Sequence, residues 1–458
     1  MKRPKDYNDA YNSKYKEYWL KAEEKELESL KSNNTWELVP KPKNAKILNT
    51  RWVYKLKPHK DDTIEFKARF VAKGFEQIYG LDYIDTFAAV VKQLAWRLLF
   101  ALAVLNKWII YKIDMISAFT QGDIDTNIYI KQPLGHINDP NKVLCLNKAL
   151  YGLKQSARIW YYTLKEVLVT KLGFCNLMTE NSIFINKELN IIISLYVDDL
   201  AIIGPNLDTI KAFIKELKNY FKLKDLGIIK DYLGVEISYD IKNGKLKLGQ
   251  SKYIQKVLDR FNINNKSPKY TPIKANIKLE PNKEQATPKE IKWFQMAIGS
   301  LLYLAMATRP DITYATILLA RFASNPSIEH VNAINNIFKY LSKTKDLGII
   351  YTREGDNTDY LSGYCDADYA GDLATAKSTN GYIFYLAKGP IMWKSKLQSI
   401  IAQSTTEAEY IAINIASKEA VYIKSLLEEL GHYKQKKLPL YTDNNGALLL
   451  AKNPIFHE

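Results

Sequence analysis

The sequence predicts an α+β protein of several domains, because segments of short strands and segments of helix follow one another along 458 residues. At about 150 residues per domain, this length corresponds to roughly three domains. Hydrophobic residues make up 47% and charged residues 25% of the chain, which is typical of a folded globular protein. This composition argues against intrinsic disorder.

The chain is basic, with 65 Lys and Arg residues against 49 Asp and Glu residues and a net charge of +16. Such an excess indicates a polyanionic partner, with nucleic acid first and a membrane surface second. The longest apolar run, residues 98–105, is under half of the roughly 18 residues that a spanning helix needs. Neither a secretory signal nor a disulfide framework nor a zinc site is predicted, so we expect an intracellular protein without a membrane partner.

Each element is predicted from its hydrophobic period. Residues 7–35 carry apolar side chains at helical intervals and predict an outer helix. Further helices are predicted over residues 93–105, 207–221 and 405–430, a helical block over 293–341, and strands over 66–73, 108–114, 191–196, 200–203, 360–369, 380–387, 390–395 and 438–442. Residues 263–288 are rich in Asn, Lys and Pro and are predicted to form a connecting segment.

Two features of these strands suggest chemistry. Alternation along residues 66–73 places Lys67, Arg69 and Lys73 on one strand face, which is either a solvated surface or an anion-binding surface. Asp198 and Asp199 lie at the turn of an apolar hairpin, where two carboxylates about 5 Å apart repel by roughly 3 kcal/mol. A divalent cation would offset this repulsion, with a third carboxylate from a neighbouring strand end, although an Asp pair alone is more often a plain turn.

The order of several motifs resembles the reverse transcriptases of copia-type retrotransposons. The matching segments are Lys67-Ala-Arg-Phe-Val-Ala-Lys-Gly-Phe75, Ile113-Asp-Met-Ile-Ser-Ala-Phe119, Leu150-Tyr-Gly-Leu-Lys-Gln-Ser-Ala-Arg-Ile-Trp160, Tyr196-Val-Asp-Asp199 and Tyr232-Leu-Gly-Val-Glu-Ile237. The resemblance continues through residues 299–303 and 308–312 and covers nearly the whole chain.

The resemblance implies a right-hand polymerase of fingers, palm and thumb, followed by a helical connection and a ribonuclease H-like mixed α/β domain. Its predicted parts are an N-terminal helical segment (1–35), fingers and palm (36–240), thumb and linker (241–285), connection (286–355) and ribonuclease H-like domain (356–458).

For the polymerase, the resemblance implies that Asp114 and Asp198 hold two Mg²⁺ ions, or Mn²⁺, with Asp199 as a less secure third ligand. Residues implied to contact these ions, the incoming nucleotide or the template are Lys67, Arg69, Lys73, Met115, Phe119, Tyr151, Gly152 and Lys154. Phe119 resembles an aromatic gate that excludes a 2′-hydroxyl, and its alternative is a core Phe beside a strand.

For the nuclease, Asp366, Glu409 and Asp443 match the first three metal-binding carboxylates of the family, and Asp368 and Glu407 are local alternatives. The chain stops before the segment that should bring a fourth carboxylate. We therefore expect weak cleavage of RNA and a partly uncovered apolar side on the 405–430 helix.

The predicted function is RNA-directed DNA synthesis: a DNA primer on an RNA or DNA template is extended with deoxyribonucleoside triphosphates, and the RNA–DNA hybrid is bound. The resemblance places the protein in cytoplasmic virus-like particles, with the nucleus as an alternative, and leaves its oligomeric state open. Two other hypotheses are a decayed relic that only binds nucleic acid and a basic α/β protein with a structural metal at Asp198 and Asp199.

Overall fold

A computed structural model of the chain describes residues 3–58, 63–263, 269–275, 277–355, 360–433, 435 and 437–453. The α-helices are α1 (Tyr7–Tyr11), α2 (Lys16–Ser32), α3 (Gln93–Asn106), α4 (Ser156–Glu166), α5 (Leu207–Leu217), α6 (Ser251–Arg260), α7 (Pro288–Ala307), α8 (Thr313–Ala320), α9 (Ile328–Lys343), α10 (Thr405–Glu429) and α11 (Asn445–Lys452). The strands are β1 (Trp36–Pro40), β2 (Ile47–Leu48), β3 (Thr50–Pro58), β4 (Ile64–Ala72), β5 (Ile109–Met115), β6 (Tyr129–Ile130), β7 (Lys142–Leu146), β8 (Cys175–Asn176), β9 (Ile183–Asn186), β10 (Ile191–Tyr196), β11 (Asp199–Gly204), β12 (Leu223–Ile228), β13 (Asp231–Tyr232), β14 (Val235–Asp240), β15 (Lys245–Gly249), β16 (Ile349–Thr352), β17 (Ser362–Asp368), β18 (Thr379–Leu386), β19 (Gly389–Leu397) and β20 (Leu440–Tyr441).

The N-terminal region packs α2 against the antiparallel pair β3–β4 and against a four-stranded sheet of order β1-β7-β6-β2. The prediction of one helix over residues 7–35 is wrong, since α1 and α2 are separate. Between them, the Ser13 hydroxyl donates to the Ala10 carbonyl (2.9 Å) and accepts from the Tyr15 N–H (3.2 Å). A serine that bonds to nearby backbone in this way competes with helical hydrogen bonding and favours a turn.

The middle of the chain forms a six-stranded antiparallel sheet of order β12-β5-β11-β10-β9-β8, called here the central sheet. One face packs on the apolar helix α3, and the other packs on α4 and α5. Both faces are covered, which explains why its inner strands β10 and β11 are continuous apolar runs and do not alternate. The order also places β5 between β12 and β11, so Asp114 lies directly opposite Asp199.

Helices α6 to α9 share one hydrophobic core and are called here the helical bundle. They are inserted between β15 and β16, which are neighbours in a second sheet of order β13-β14-β15-β16. The predicted boundary at residues 285/286 between thumb and connection therefore falls inside a shared core, and the division into two parts remains a prediction.

The C-terminal domain consists of a sheet of order β19-β18-β17-β20 with α10 on one face. The Ser404 side chain accepts from the Glu407 N–H at 3.1 Å and starts α10, as its sequence predicts. On the apolar side of α10, Ala408 and Ala412 are buried while Ile411 and Ile415 are half-buried, so the expectation of a partly uncovered apolar side stays a prediction. The predicted domain start at residue 356 lies outside the described residues.

Candidate active sites

The hairpin β10–β11 holds its two acids in a fixed turn. Val197 has a φ of +56°, an uncommon conformation for a β-branched residue, at the first position of this turn. The indole N–H of Trp160 donates to the Val197 carbonyl at 2.7 Å, and the Met115 N–H donates to the Asp198 carbonyl at 2.9 Å. These two bonds from neighbouring elements fix the turn against the end of β5.

Asp114, Asp198 and Asp199 meet at this end of the central sheet, each half-buried. Burial raises the pKa of Asp114, and the carboxylates of Asp198 and Asp199 raise it further. Burial also raises the pKa of Asp199, against the opposing effect of Lys112. A hard divalent cation would offset the effects that raise the pKa of Asp114 and Asp199, and carboxylate oxygens are its preferred ligands, so the three residues fit a metal site.

Asp199 has a partner that the sequence analysis missed. The Lys112 ammonium lies 3.1 Å from an oxygen of Asp199 and 2.9 Å from an oxygen of Asp231 at the start of β13. A lysine two residues before Asp114 on the same strand face was the available signal. Its two acidic partners could not be predicted from the sequence, since they lie far from Lys112 along the chain.

Arg69, Tyr151 and Phe119 form a wall beside these carboxylates. The Arg69 guanidinium lies 5.0 Å from the centre of the Tyr151 ring, which lies 4.9 Å from the centre of the Phe119 ring. Burial raises the pKa of Tyr151 to about 12, and the Asp114 and Asp198 carboxylates add to this effect. Burial lowers the pKa of Lys67, and neighbouring Arg69 lowers it further. The predicted nucleotide-binding residues of the two segments are thus brought together.

Gly152 permits a close approach between two parts of the protein. Its φ is +96°, and a Cβ atom there would lie 2.1 Å from the Ala72 carbonyl oxygen. The Ala72 N–H donates to the Tyr151 carbonyl at 2.9 Å, so β4 and the loop 150–153 are joined through backbone. A Cβ atom at Gly74 would lie 2.0 Å from the Gly152 oxygen, which makes the requirement mutual.

Lys73 and Lys154 frame the same junction. The Lys73 N–H donates to the Asn49 carbonyl at 2.8 Å, and its side chain is half-buried. The Lys154 N–H donates to the Gln77 side chain at 2.7 Å, and its ammonium lies 5.2 Å from the centre of the Tyr83 ring. Both predicted cations therefore border the loop that carries Tyr151 and Gly152.

A second acidic cluster lies in the C-terminal domain. Parallel pairing of β17 with β20 brings Asp366 and Asp443 to one side, and the first turns of α10 bring Glu409. Single oxygens of the three carboxylates lie within 4.8 Å of one another, a grouping that Asp114, Asp198 and Asp199 do not form among the described residues.

Glu409 is the buried member of this cluster. One of its oxygens accepts from the Ala367 N–H at 3.2 Å, while the other is buried without a partner in the described part of the chain. Burial raises its pKa to about 7, with further effects from Asp366 and Asp443. An unpartnered buried carboxylate oxygen beside two exposed carboxylates fits a divalent cation.

The two local alternatives have other contacts. Asp368 accepts from the Tyr314 hydroxyl at 3.2 Å, and Glu407 accepts from the Gln403 N–H at 2.7 Å in the cap of α10. The structure therefore gathers the predicted three carboxylates, and it assigns Glu407 to the helix start.

Among the described helices, none combines the length and hydropathy that crossing a bilayer requires.

Known proteins resemble the chain along its length. Residues 33–275 match the family described as reverse transcriptase (RNA-dependent DNA polymerase). The retrovirus-related Pol polyprotein from transposon TNT 1-94 of Nicotiana tabacum is 37% identical over 100% of this chain, and that from transposon RE1 of Arabidopsis thaliana is 39% identical over 96%. The chain spans 35% and 30% of the lengths of these two relatives.

A solved structure supports the fold. The foamy viral protease-reverse transcriptase in complex with dsDNA is 15% identical and has a TM-score of 0.50, with 95% of this chain and 76% of that chain covered. The mixed α/β architecture is thus that of a reverse transcriptase. The chain belongs to the reverse transcriptase (RNA-dependent DNA polymerase) family, within the Pol polyproteins of copia-type retrotransposons.

Proposed function

We propose that the chain catalyses RNA-directed DNA synthesis for a copia-type retrotransposon, extending a DNA primer on an RNA or DNA template. The observation that carries this proposal is the approach of Asp114, at the end of β5, to the turn that holds Asp198, which the Met115 N–H fixes, beside the wall of Arg69, Tyr151 and Phe119. A metal-bound triphosphate requires carboxylates that hold the metal ions and a nearby cation that binds the phosphates, and the Arg69 guanidinium is such a cation.

The residues of the central sheet have distinct roles in this proposal. Asp114 and Asp198 hold the divalent cations, Mg²⁺ or Mn²⁺, with Asp199 beside them and the Met115 carbonyl as a further oxygen donor. When bound, the cations activate the primer hydroxyl and stabilise the leaving pyrophosphate. Lys67, Arg69 and Lys73 orient the triphosphate as fixed cations.

The aromatic wall selects the nucleotide in this proposal. Phe119 is half-buried against the core under α4 and α5, and its ring is held by Tyr151. A packed Phe119 ring excludes a 2′-hydroxyl better than a freely rotating ring would, because moving the ring aside would disrupt its packing against the core. Gly152 sets the distance between Tyr151 and β4, and Lys154 lies at the edge of the same loop.

The proposed partners are an RNA template, a DNA primer, their hybrid and deoxyribonucleoside triphosphates. The net charge of +16 supports a phosphate-tracking surface. The foamy viral protease-reverse transcriptase of similar fold binds dsDNA in its solved structure. A cytoplasmic virus-like particle is the proposed location, with the nucleus as the alternative.

Primer extension on an RNA template tests the proposal. We expect incorporation that depends on Mg²⁺ and on all four deoxyribonucleoside triphosphates. Binding of the template–primer without extension would instead support the relic hypothesis, and neither binding nor extension would support a structural metal at the hairpin.

We propose weak ribonuclease H activity as a second function, which the Asp366, Glu409 and Asp443 cluster favours. Its test is Mg²⁺-dependent cleavage of the RNA strand in an RNA–DNA hybrid, compared with Asp443→Asn. Loss of cleavage in that variant with polymerase activity retained would support two separate centres. Cleavage that is insensitive to Asp443→Asn would contradict the assignment.

A further inference from the structure

Lys112 is a buried lysine at the proposed polymerase centre that the functional assignment does not use. Strand alternation places Lys112 and Asp114 on one face of β5, opposite Ile113 and Met115, which belong to the core under α4 and α5. Lys112 is 9% exposed, which is uncommon for a lysine without a specific partner. Its contacts must therefore account for its burial.

Two carboxylates from different hairpins supply these contacts. The ammonium lies 3.1 Å from Asp199, in the catalytic turn, and 2.9 Å from Asp231, at the start of the hairpin β13–β14. The cross-strand partner of Lys112 on β12 is Gly227, which has no side chain. Lys112 is thus a cation that joins the two hairpins, in addition to the contacts of 3.3 Å that the Tyr232 hydroxyl of β13 makes with the hydroxyl and the carbonyl of Ser194 on β10.

The hairpin β13–β14 is in turn joined to the helical bundle. The Tyr303 hydroxyl of α7 donates to the Leu233 carbonyl at 3.0 Å, at the turn of this hairpin. Gly234, at the same turn, has a φ of +80°. A Cβ atom at Gly234 would lie 2.1 Å from the Tyr303 hydroxyl oxygen, so the turn lies very close to α7. A contact series therefore runs from Asp199 through Lys112 and Asp231 to α7.

We propose that Lys112 is a positioning residue that sets the hairpin 231–240 and, through it, the bundle, against the catalytic turn. Asp199 serves as its fixed counter-ion, which leaves Asp114 and Asp198 as the carboxylates available for metal. The inference rests on the proposed polymerase function, since the placement of the hairpin and the bundle relative to Asp114 and Asp198 matters only if these carboxylates act on a bound template–primer.

Equilibrium binding of a fluorescent template–primer in the absence of divalent metal tests this inference on the full chain. We expect Lys112→Met to raise the dissociation constant about tenfold, because loss of a residue that couples distant parts of a protein typically changes binding by a factor of this order. Asp231→Asn should also raise the dissociation constant. The double variant should have a dissociation constant no higher than the higher value of the two single variants, since both substitutions break the same connection. Lys112→Arg should restore most of the affinity.

The same change at an exposed lysine, Lys218→Met on the surface after α5, is the matched control for lost charge. If Lys112→Met fails to fold, Asp231→Asn remains as a test, because the Asp231 side chain is 68% exposed. At saturating template–primer, the rate of single-nucleotide addition by Asp231→Asn should stay within about threefold of wild type.

Unchanged affinity in Asp231→Asn, or additive effects in the double variant, would overturn the inference while wild-type primer extension still supports the proposed function. Absence of extension by the wild-type chain would instead remove the proposed function itself. The two failures are therefore distinguishable in one set of assays.

Discussion

The guanidinium of Arg97 lies 3.9 Å from the centre of the Trp393 ring and joins the central sheet's helix α3 to the C-terminal domain. The same group donates to the carbonyls of Met306 (2.9 Å) and Ala307 (3.1 Å) at the end of α7. Burial lowers the pKa of Arg97 to about 10, and the negative end of a helix favours its positive charge. One side chain therefore connects three parts of the molecule.

Arg97→Met should lower the free energy of unfolding by about 2–4 kcal/mol, because the carbonyls of Met306 and Ala307, the latter buried, lose their charged donor. Urea unfolding monitored by tryptophan fluorescence measures the change. Arg158→Met, at a more exposed arginine whose partners are Asp85 and Asp125, is the control and should cost less than about 1 kcal/mol. Equal effects of the two substitutions would contradict the importance given to the junction.

Asp198→Asn should reduce Mg²⁺-dependent DNA synthesis by at least about a hundredfold, because it removes a charge at the proposed metal centre. Template–primer binding should survive, since affinity rests mainly on Lys and Arg contacts with phosphate. Primer extension and filter binding measure the two quantities. Asp208→Asn, at an exposed position in the first turn of α5, is the control; wild-type extension by Asp198→Asn would exclude the hairpin as the centre.

Phe119→Val should admit ribonucleotides, because it removes the ring that Tyr151 holds in place and leaves the carboxylates untouched. The ratio of ribonucleotide to deoxyribonucleotide incorporation by the two proteins is the measurement. An unchanged ratio with synthesis intact would assign Phe119 to the core alone.

The stability of the C-terminal domain should depend on pH through Glu409. Its pKa of about 7 in the folded chain exceeds the ordinary value of 4.5, so the folded state binds more protons between these values. Without divalent metal, the free energy of unfolding should therefore fall as pH rises from about 4.5 to about 7. Mg²⁺ requires the ionised cluster, so its stabilising effect on the melting temperature should be larger at pH 8 than at pH 6.

Glu409→Gln is the control for this pH dependence, since an amide does not titrate. The variant should lose both the decline with pH and most of the stabilisation by Mg²⁺. Stabilisation by Mg²⁺ that is equal at the two pH values would argue against a metal site at this cluster.

Gly152→Ala should destabilise the protein by about 2 kcal/mol or more, because the added methyl group would meet the Ala72 carbonyl and the φ of +96° is unfavourable for alanine. Gly431→Ala is the matched control: its φ is +74°, and a Cβ atom there meets open space. It should cost about 1 kcal/mol, the conformational penalty alone. Thermal unfolding compares them, and equal costs would contradict the close approach.

Local patterns in the sequence predicted the elements whose cause is local. The cap at Ser404 gave the start of α10, and the apolar runs around Asp198 and Asp199 gave the hairpin β10–β11. The carboxylates of the C-terminal cluster were identified through the resemblance, and the structure gathers them. Their metal ligation and catalytic roles remain predictions.

Contacts between distant segments were not predictable. Lys112 meets Asp231 across 119 positions of sequence, and Arg97 meets Ala307 across 210. A lone arginine inside the apolar helix α3 indicates a buried partner, but no period or motif names helix carbonyls as that partner. The separation of α1 from α2 was not predicted, because the apolar pattern is continuous there while the Ser13 hydroxyl bonds to nearby backbone and favours a turn.

The insertion of the helical bundle between neighbouring strands has a consequence for the order in which the chain folds. Leu248 of β15 pairs with Ile349 of β16, so this pairing closes a loop of about one hundred residues, whose entropic cost is paid before any ladder hydrogen bond forms. A bundle that folds first delivers its two ends side by side and shortens the effective loop. We therefore expect α6–α9 to form early during synthesis, and β15 to pair with β16 only after the bundle has brought its two ends together.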